Sequence, residues 1–151
     1  MTGYLKDHKK IPYNAPADIP RLDQIVEIDL SAQTAKVEAN VSMGSLVKAT
    51  LPLGLVPSVV AGQRGMTVAD AFANMTSESS SFSFGAFDCT VLEIEIITGD
   101  GEIVRARPDW NEDLFYGSAG TMHSLGLITM LEISLTRRGP YVRLEFIPLA
   151  S

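Results

Sequence analysis

Residues 66 to 87 read MTVADAFANMTSESSSFSFGAF, and six hydroxyl side chains crowd one part of that stretch: Thr76, Ser77, Ser79, Ser80, Ser81 and Ser83. Hydroxyls and the backbone N–H groups between them donate to anions, and a helix opening at Thr67 would add the positive end of its dipole. The chemistry this suggests is a cradle for a phosphate-bearing group. The plain alternative is a polar connector between two apolar segments. Other reactive types are sparse. His8 and His123 are the two histidines, and neither has a Cys or His at metal-ligand spacing, so no metal site is expected. His123, in GTMHSLG, has the chemistry of a base or of a group facing a cofactor ring, against a purely structural role. His8 sits in a polar segment and reads as solvated. Cys89 is the single cysteine, which excludes an intrachain disulfide and suits a reducing compartment. Beside the apolar run TVLEIEII it reads as a buried structural thiol. No GxSxG elbow, HExxH helix or GxxxxGK[ST] phosphate loop occurs.

These residues need elements to hold them. Residues 1 to 20 are polar and punctuated by Pro12, Pro16 and Pro20, an irregular arm ahead of a folded unit spanning 21 to 151. QIVEIDLSAQTAKVEANV predicts two strands joined at Ser31-Ala32-Gln33. In SMGSLVKATLPLG, Ser42 is placed to cap a helix whose inner face carries Leu46, Val47 and Leu51, with Pro52 and Gly54 ending it. PSVVAGQRG reads as a loop, and TVADAFANM as a short helix capped by Thr67. CTVLEIEIITGDGEIVRARP is a hairpin turning at TGDGE, with Glu93 and Glu95 on a half-exposed face. NEDLFYGSAG predicts a helical turn capped by Asn111. SLGLITMLEISLTRR and YVRLEFIPL are further strands. The pattern is α+β, a largely antiparallel sheet flanked by short helices.

The bulk numbers fit one domain. At 151 residues with 46% hydrophobic and 20% charged residues, the chain can bury a sizeable core. Its net charge of -6 argues against a nucleic-acid partner, which needs a basic face. No N-terminal stretch resembles a signal peptide, and no apolar run reaches the ~20 residues of a membrane span. The expected location is cytoplasmic.

Taken in order, VEANVSMGSLVKATLPLGLVPSVV, TVADAFANMTSESSSFSFGAF, EIEIITGDGEIVRA, NEDLFYGSAGTMHSLGLIT and YVRLEFIP resemble the FAD-binding domain of vanillyl-alcohol-oxidase-type flavoproteins, the PCMH fold. The branch they resemble is the delta-24-sterol reductase family. The resemblance implies the second subdomain of that fold, with FAD as cofactor. It implies that Thr67 and Val68 open a pyrophosphate loop, that Ser77 lies near the diphosphate, and that Ser79, Ser80, Ser81 and Gly85 close it. Gly126 and Ile128 match a strand whose backbone meets the adenine or flavin ring. The activity implied is hydride transfer at the flavin, on a small apolar or sterol-like substrate.

The loop departs from the family's pattern. Its paired glycines are Ala69 and Asp70 here, and later glycine positions hold Ala73, Asn74, Met75 and Thr76. A carboxylate at Asp70 would meet a diphosphate as a like charge. The departures open a second reading, a flavin-free domain. That domain would bind a small apolar molecule in a groove lined by Phe72, Phe82, Phe84, Phe87, Met75, Met122 and Met130, catalyse a cofactor-free isomerisation or cyclisation, or serve as an interaction module. Candidate acid–base groups are His123 and Asp70. Only GYLKDHKKIPYN resembles the first subdomain, so a homo-oligomer, or a partner chain completing the domain, is expected to cover the exposed apolar surface and strand edges.

Overall fold

The computed structural model describes residues 22–63, 65–139 and 141. The strand predicted at YVRLEFIPL and the N-terminal arm with His8 lie outside the described residues. Among the described residues, six strands and four short α-helices run in the order β1 (Ile25–Asp29), β2 (Thr34–Glu38), α1 (Met43–Thr50), β3 (Leu55–Pro57), α2 (Val68–Ala73), α3 (Ser81–Phe84), β4 (Val91–Thr98), β5 (Ile103–Ala106), α4 (Glu112–Ser118) and β6 (Gly126–Arg137). The class is the α+β arrangement read from the sequence.

All strand pairings are antiparallel. The sheet order is β1-β2-β6-β4-β5, with β3 paired to the C-terminal end of β6. The twelve-residue β6 is the centre of the architecture, because β2, β3 and β4 all bond to it. Simple alternation fails twice along β4. Register shifts at Val91/Glu93 and Glu95/Ile96 let Val91, Ile94 and Ile96 all face inward while Leu92 turns to solvent. Such bulges re-aim side chains by adding a residue on one strand.

One sheet face is covered. Ala35, Val37, Ile94, Ile96, Ile128, Leu131 and Ile133 pack with Met43 and Leu46 of α1, Val68 and Phe72 of α2, and Phe87. Phe72 and Phe87 are fully buried, and each such ring contributes about 1.5–3 kcal/mol. The other face carries charge. Arg107 pairs with Glu93 at 2.7 Å, and Arg105 with Glu95 at 3.4 Å, which makes these carboxylates members of a solvated ladder.

Local signals fix several boundaries. Ser42 caps α1 by accepting from the Ser45 N–H. The buried side of α1 is Met43, Leu46 and Thr50 rather than Leu51, which is exposed because the chain tightens into a 3-10 turn over Leu51–Leu53. Pro52 is accommodated inside that turn, and Gly54 ends it at φ +77°. Asn111 occupies the cap position of α4 but in a left-handed conformation, and its side-chain amide donates to the Arg105 carbonyl instead of capping the helix. Cys89 is exposed, not buried, because it lies on a 3-10 turn (Phe87–Thr90) ahead of β4 rather than within the strand. Among the described residues no helix is long and apolar enough to cross a membrane.

Candidate functional site

The site builds outward from α2. Every residue of that helix except Asp70 is buried, so the helix is docked into the core by Val68, Ala69, Ala71, Phe72 and Ala73. Its start is a capping box: the Thr67 hydroxyl accepts from the Asp70 N–H at 3.1 Å, and Asp70 Oδ2 accepts from the Thr67 N–H at 3.2 Å. The Val68 N–H bonds the Val41 carbonyl at 2.9 Å, the Ala69 N–H the Ala39 carbonyl at 3.2 Å, and the Ala71 N–H the Thr67 carbonyl at 3.0 Å. The amides that an anion would use at this helix start are therefore all engaged within the protein. Thr67 and Val68 hold the loop in place rather than offering donors.

Beyond α2 the situation reverses. Thr76 is taken up by the core, its N–H donating to the Ala71 carbonyl and its carbonyl accepting from the Phe87 N–H. The Ser81 hydroxyl accepts from the Glu78 N–H at 2.9 Å, and Glu78 Oε1 accepts from the Gly62 N–H at 2.7 Å, tying the two loops together. The hydroxyls of Ser77, Ser79, Ser80 and Ser83, and the N–H groups of Ser77, Ser79 and Ser80, have no hydrogen-bond partner among the described residues. Three amides and four hydroxyls without partners, on a segment anchored at both ends, form a donor set that suits a diphosphate. A phosphate-bearing group would thus meet free donors in the hydroxyl tract and not at the start of α2.

The remaining positions fall in packed structure. Gly85 has φ +76°, and a side chain there would meet Cys89 Sγ at 2.7 Å, so glycine is required by the turn. A Cβ on Gly126 would lie 2.4 Å from the Ile97 carbonyl oxygen, which makes this glycine a condition for pairing β6 with β4. Ile128 is core, 2% exposed, and opposite Ile96 in the sheet.

Asp70 and His123, remote in sequence, are brought together. His123 Nε2 stands 3.5 Å from Asp70 Oδ1, with both side chains partly exposed. The loop carrying His123 is held to α2 by the Met122 N–H, which donates to the Ala73 carbonyl at 3.1 Å. Met75, Met122 and His123 all adopt left-handed backbone, at φ +48°, +50° and +62°. Non-glycine residues rarely sit there, and clusters of them mark sites where geometry is imposed by the surroundings. A Cβ on Gly120 would reach Met75 Sδ at 2.7 Å, which shows how closely the two loops meet.

The groove proposed from Phe72, Phe82, Phe84, Phe87, Met75, Met122 and Met130 does not form. Phe72 and Phe87 are core, whereas Phe82 is 91% and Met122 77% exposed. Two larger concavities, of about 370 Å³ beside Val104 and Asn111–Leu114 and about 320 Å³ beside Leu30, Leu53–Leu55 and Arg137, lie away from this set. Glu78, whose carboxylate joins the two loops, carried no sequence signal beyond its place in the serine tract.

Comparison with known proteins bears on the same stretch. A family model described as FAD binding domain matches residues 17–107. Delta(24)-sterol reductase of Arabidopsis thaliana is 38% identical over 134 residues, covering 87% of this chain and 24% of that protein. The protein of the same name from Rattus norvegicus is 33% identical over 146 residues, 97% of this chain and 27% of its own length. Decaprenylphosphoryl-beta-D-ribose oxidase of Mycolicibacterium smegmatis is 33% identical over 120 residues, 79% of this chain and 26% of the relative. The chain thus spans about a quarter of the length of these curated relatives.

Proposed function

The chain belongs to the FAD binding domain family, whose model covers residues 17–107, and its cofactor is FAD; from that premise we propose that it is the cofactor-carrying part of an FAD-linked oxidoreductase. The observation that carries this reading is the partnerless donor set of Ser77, Ser79, Ser80 and Ser83 within a stretch anchored by Thr76 and Ser81. When bound, the flavin supplies hydride transfer, and the protein supplies position and electrostatics. Ser77, Ser79 and Ser80 hold the diphosphate by hydroxyl and amide donation. Thr67 and Val68 fix the segment's course, Glu78 braces it against Gly62, and Gly85 gives it its exit.

The finer reading is a sterol-like or other small apolar substrate for the whole protein, supported by likeness to proteins named Delta(24)-sterol reductase. Self-association, or a partner chain covering Phe82 and Phe84, belongs to the same proposal, supported by the exposure of both rings on α3. The flavin-free alternative is not favoured, since its apolar groove is absent and the family is a flavin-binding one.

Titration of the purified chain with FAD tests the reading. Saturable binding is expected, and replacing Ser77, Ser79 and Ser80 together by Ala should weaken it on the order of 100-fold, at about 1 kcal/mol per lost hydrogen bond. Unchanged affinity in the triple variant would remove the serine tract from the site.

A further inference from the structure

We propose that Glu78 is the positioning residue of the serine tract: its hydrogen bond to Gly62 sets the tract's affinity for the diphosphate, and a bound diphosphate holds that bond closed. The inference rests on the reading that the diphosphate meets Ser77, Ser79 and Ser80. Residues 77–85 have little else to hold them. None of them is buried, and α3 places no side chain in the core.

Their hydrogen bonds turn inward on the segment itself. The Ser81 N–H donates to the Glu78 carbonyl at 2.9 Å, and the Glu78 N–H to the Ser81 hydroxyl at 2.9 Å. The Ser83 and Phe84 N–H groups share the Ser80 carbonyl, and the Gly85 N–H takes the Ser81 carbonyl. Among the described residues, one hydrogen bond leaves the segment: the Gly62 N–H donates to Glu78 Oε1 at 2.7 Å. The core links at Thr76 and Phe87 lie on either side of it. The donors of Ser77, Ser79 and Ser80 thus sit on an excursion of the chain whose one polar tie to the fold is a side chain.

Both ends of that tie are fixed. Val59 is fully buried and Ala61 nearly so, which means that the chain reaches Gly62 directly from the core. A Cβ on Gly62 would stand 3.6 Å from Glu78 Oε1, so the carboxylate lies against this backbone. At the other end, Ser81 holds both the N–H and the carbonyl of Glu78, and the side chain is the arm left to reach across. A donor segment that must be ordered on binding loses affinity to that ordering, and one held beforehand does not. The coupling is reciprocal: a ligand favoured by the closed bond must favour the closed bond by the same factor. Glu78 is also the one ionisable residue in 77–85. Its charge opposes an anion while its acceptor oxygen serves one, and substitution separates the two.

The test compares Glu78→Gln, which keeps the acceptor, with Glu78→Ala, which does not; neither carries the charge. FAD dissociation constants are measured on the folded chain well below its melting temperature, and hydrogen exchange at the Gly62 amide is followed by NMR. Glu78→Gln should bind FAD at least as tightly as the wild type. Glu78→Ala should bind roughly three- to tenfold more weakly than Glu78→Gln, the size of one hydrogen bond. Saturating FAD should slow exchange at the Gly62 amide by a similar factor in the wild type and in Glu78→Gln, and not in Glu78→Ala. Equal affinities for Glu78→Ala and Glu78→Gln, or a Gly62 amide indifferent to bound FAD, overturn the role of Glu78 while the serine tract keeps its own. A residue serving stability alone would give that result, with a lowered melting temperature in Glu78→Ala. An affinity unmoved by replacing Ser77, Ser79 and Ser80, or no FAD binding at all, overturns both.

Discussion

Asp70 shows how one side chain answers two demands: it closes the cap of α2 through Oδ2 and meets His123 through Oδ1. The cap was legible, since Thr67 opens an apolar helix pattern and Asp70 follows three residues later. The contact with His123 was not, because nothing local couples residue 70 to residue 123. Replacing Thr67 by Ala should cost about 1 kcal/mol and lower the melting temperature by about 2–4 °C, while Thr67→Ser should cost much less. A second residue-scale prediction concerns acid. The Ser31 hydroxyl, then the Ala32 and Ser31 N–H groups, hold the Asp29 carboxyl below its ordinary value of 3.8. The Thr98 hydroxyl, then the Glu102 N–H and the backbone N–H of Asp100 itself, do the same for Asp100. A carboxyl lowered on folding contributes stability above its unfolded value and loses it as pH falls through the folded one. Thermal melts below about pH 4 should therefore fall more steeply for the wild type than for Asp29→Asn or Asp100→Asn.

At the scale of elements, the organising fact is that β6 bonds to three strands, and one glycine makes its closest approach possible. Gly126→Ala would drive a Cβ to 2.4 Å from the Ile97 carbonyl, backbone that cannot yield as a side chain could. The expected loss is about 2 kcal/mol or more, read by chemical denaturation with an unchanged slope. Gly126→Ala that melts like the wild type would contradict the packing described for β6. The hairpins β1–β2 and β4–β5 were plain in the sequence, because alternation and turn residues are local signals. The three-residue β3 has no sequence signal, since Leu55–Pro57 is too short to alternate and exists only through its pairing with β6. The serine tract hid α3 for a similar reason. Its single turn is closed by Ser80 and Ser81 carbonyls, not by any apolar periodicity. The cap expected of Asn111 fails because its left-handed backbone overrides the local pattern.

At the scale of the whole molecule, the order of several weak motifs was enough to indicate the family, while the free donors lie at only part of the stretch those motifs mark. The helix start that resemblance implied is closed by its own cap and by carbonyls between β2 and α1, and the partnerless donors lie beyond the end of α2, at residues 77 to 80. The lost glycines have a matching physical account: Ala69 is buried in the core, and Met75 takes the left-handed backbone glycine would adopt freely. The central claim is that this fold carries FAD through residues 77 to 80. Its most direct measurement is the melting temperature and visible spectrum of the purified chain with and without FAD. At FAD one hundred times its dissociation constant, stabilisation should reach about 2.7 kcal/mol, a rise of about 5–10 °C, with the flavin bands perturbed. An unshifted melt and an unperturbed spectrum under saturating FAD would contradict the account.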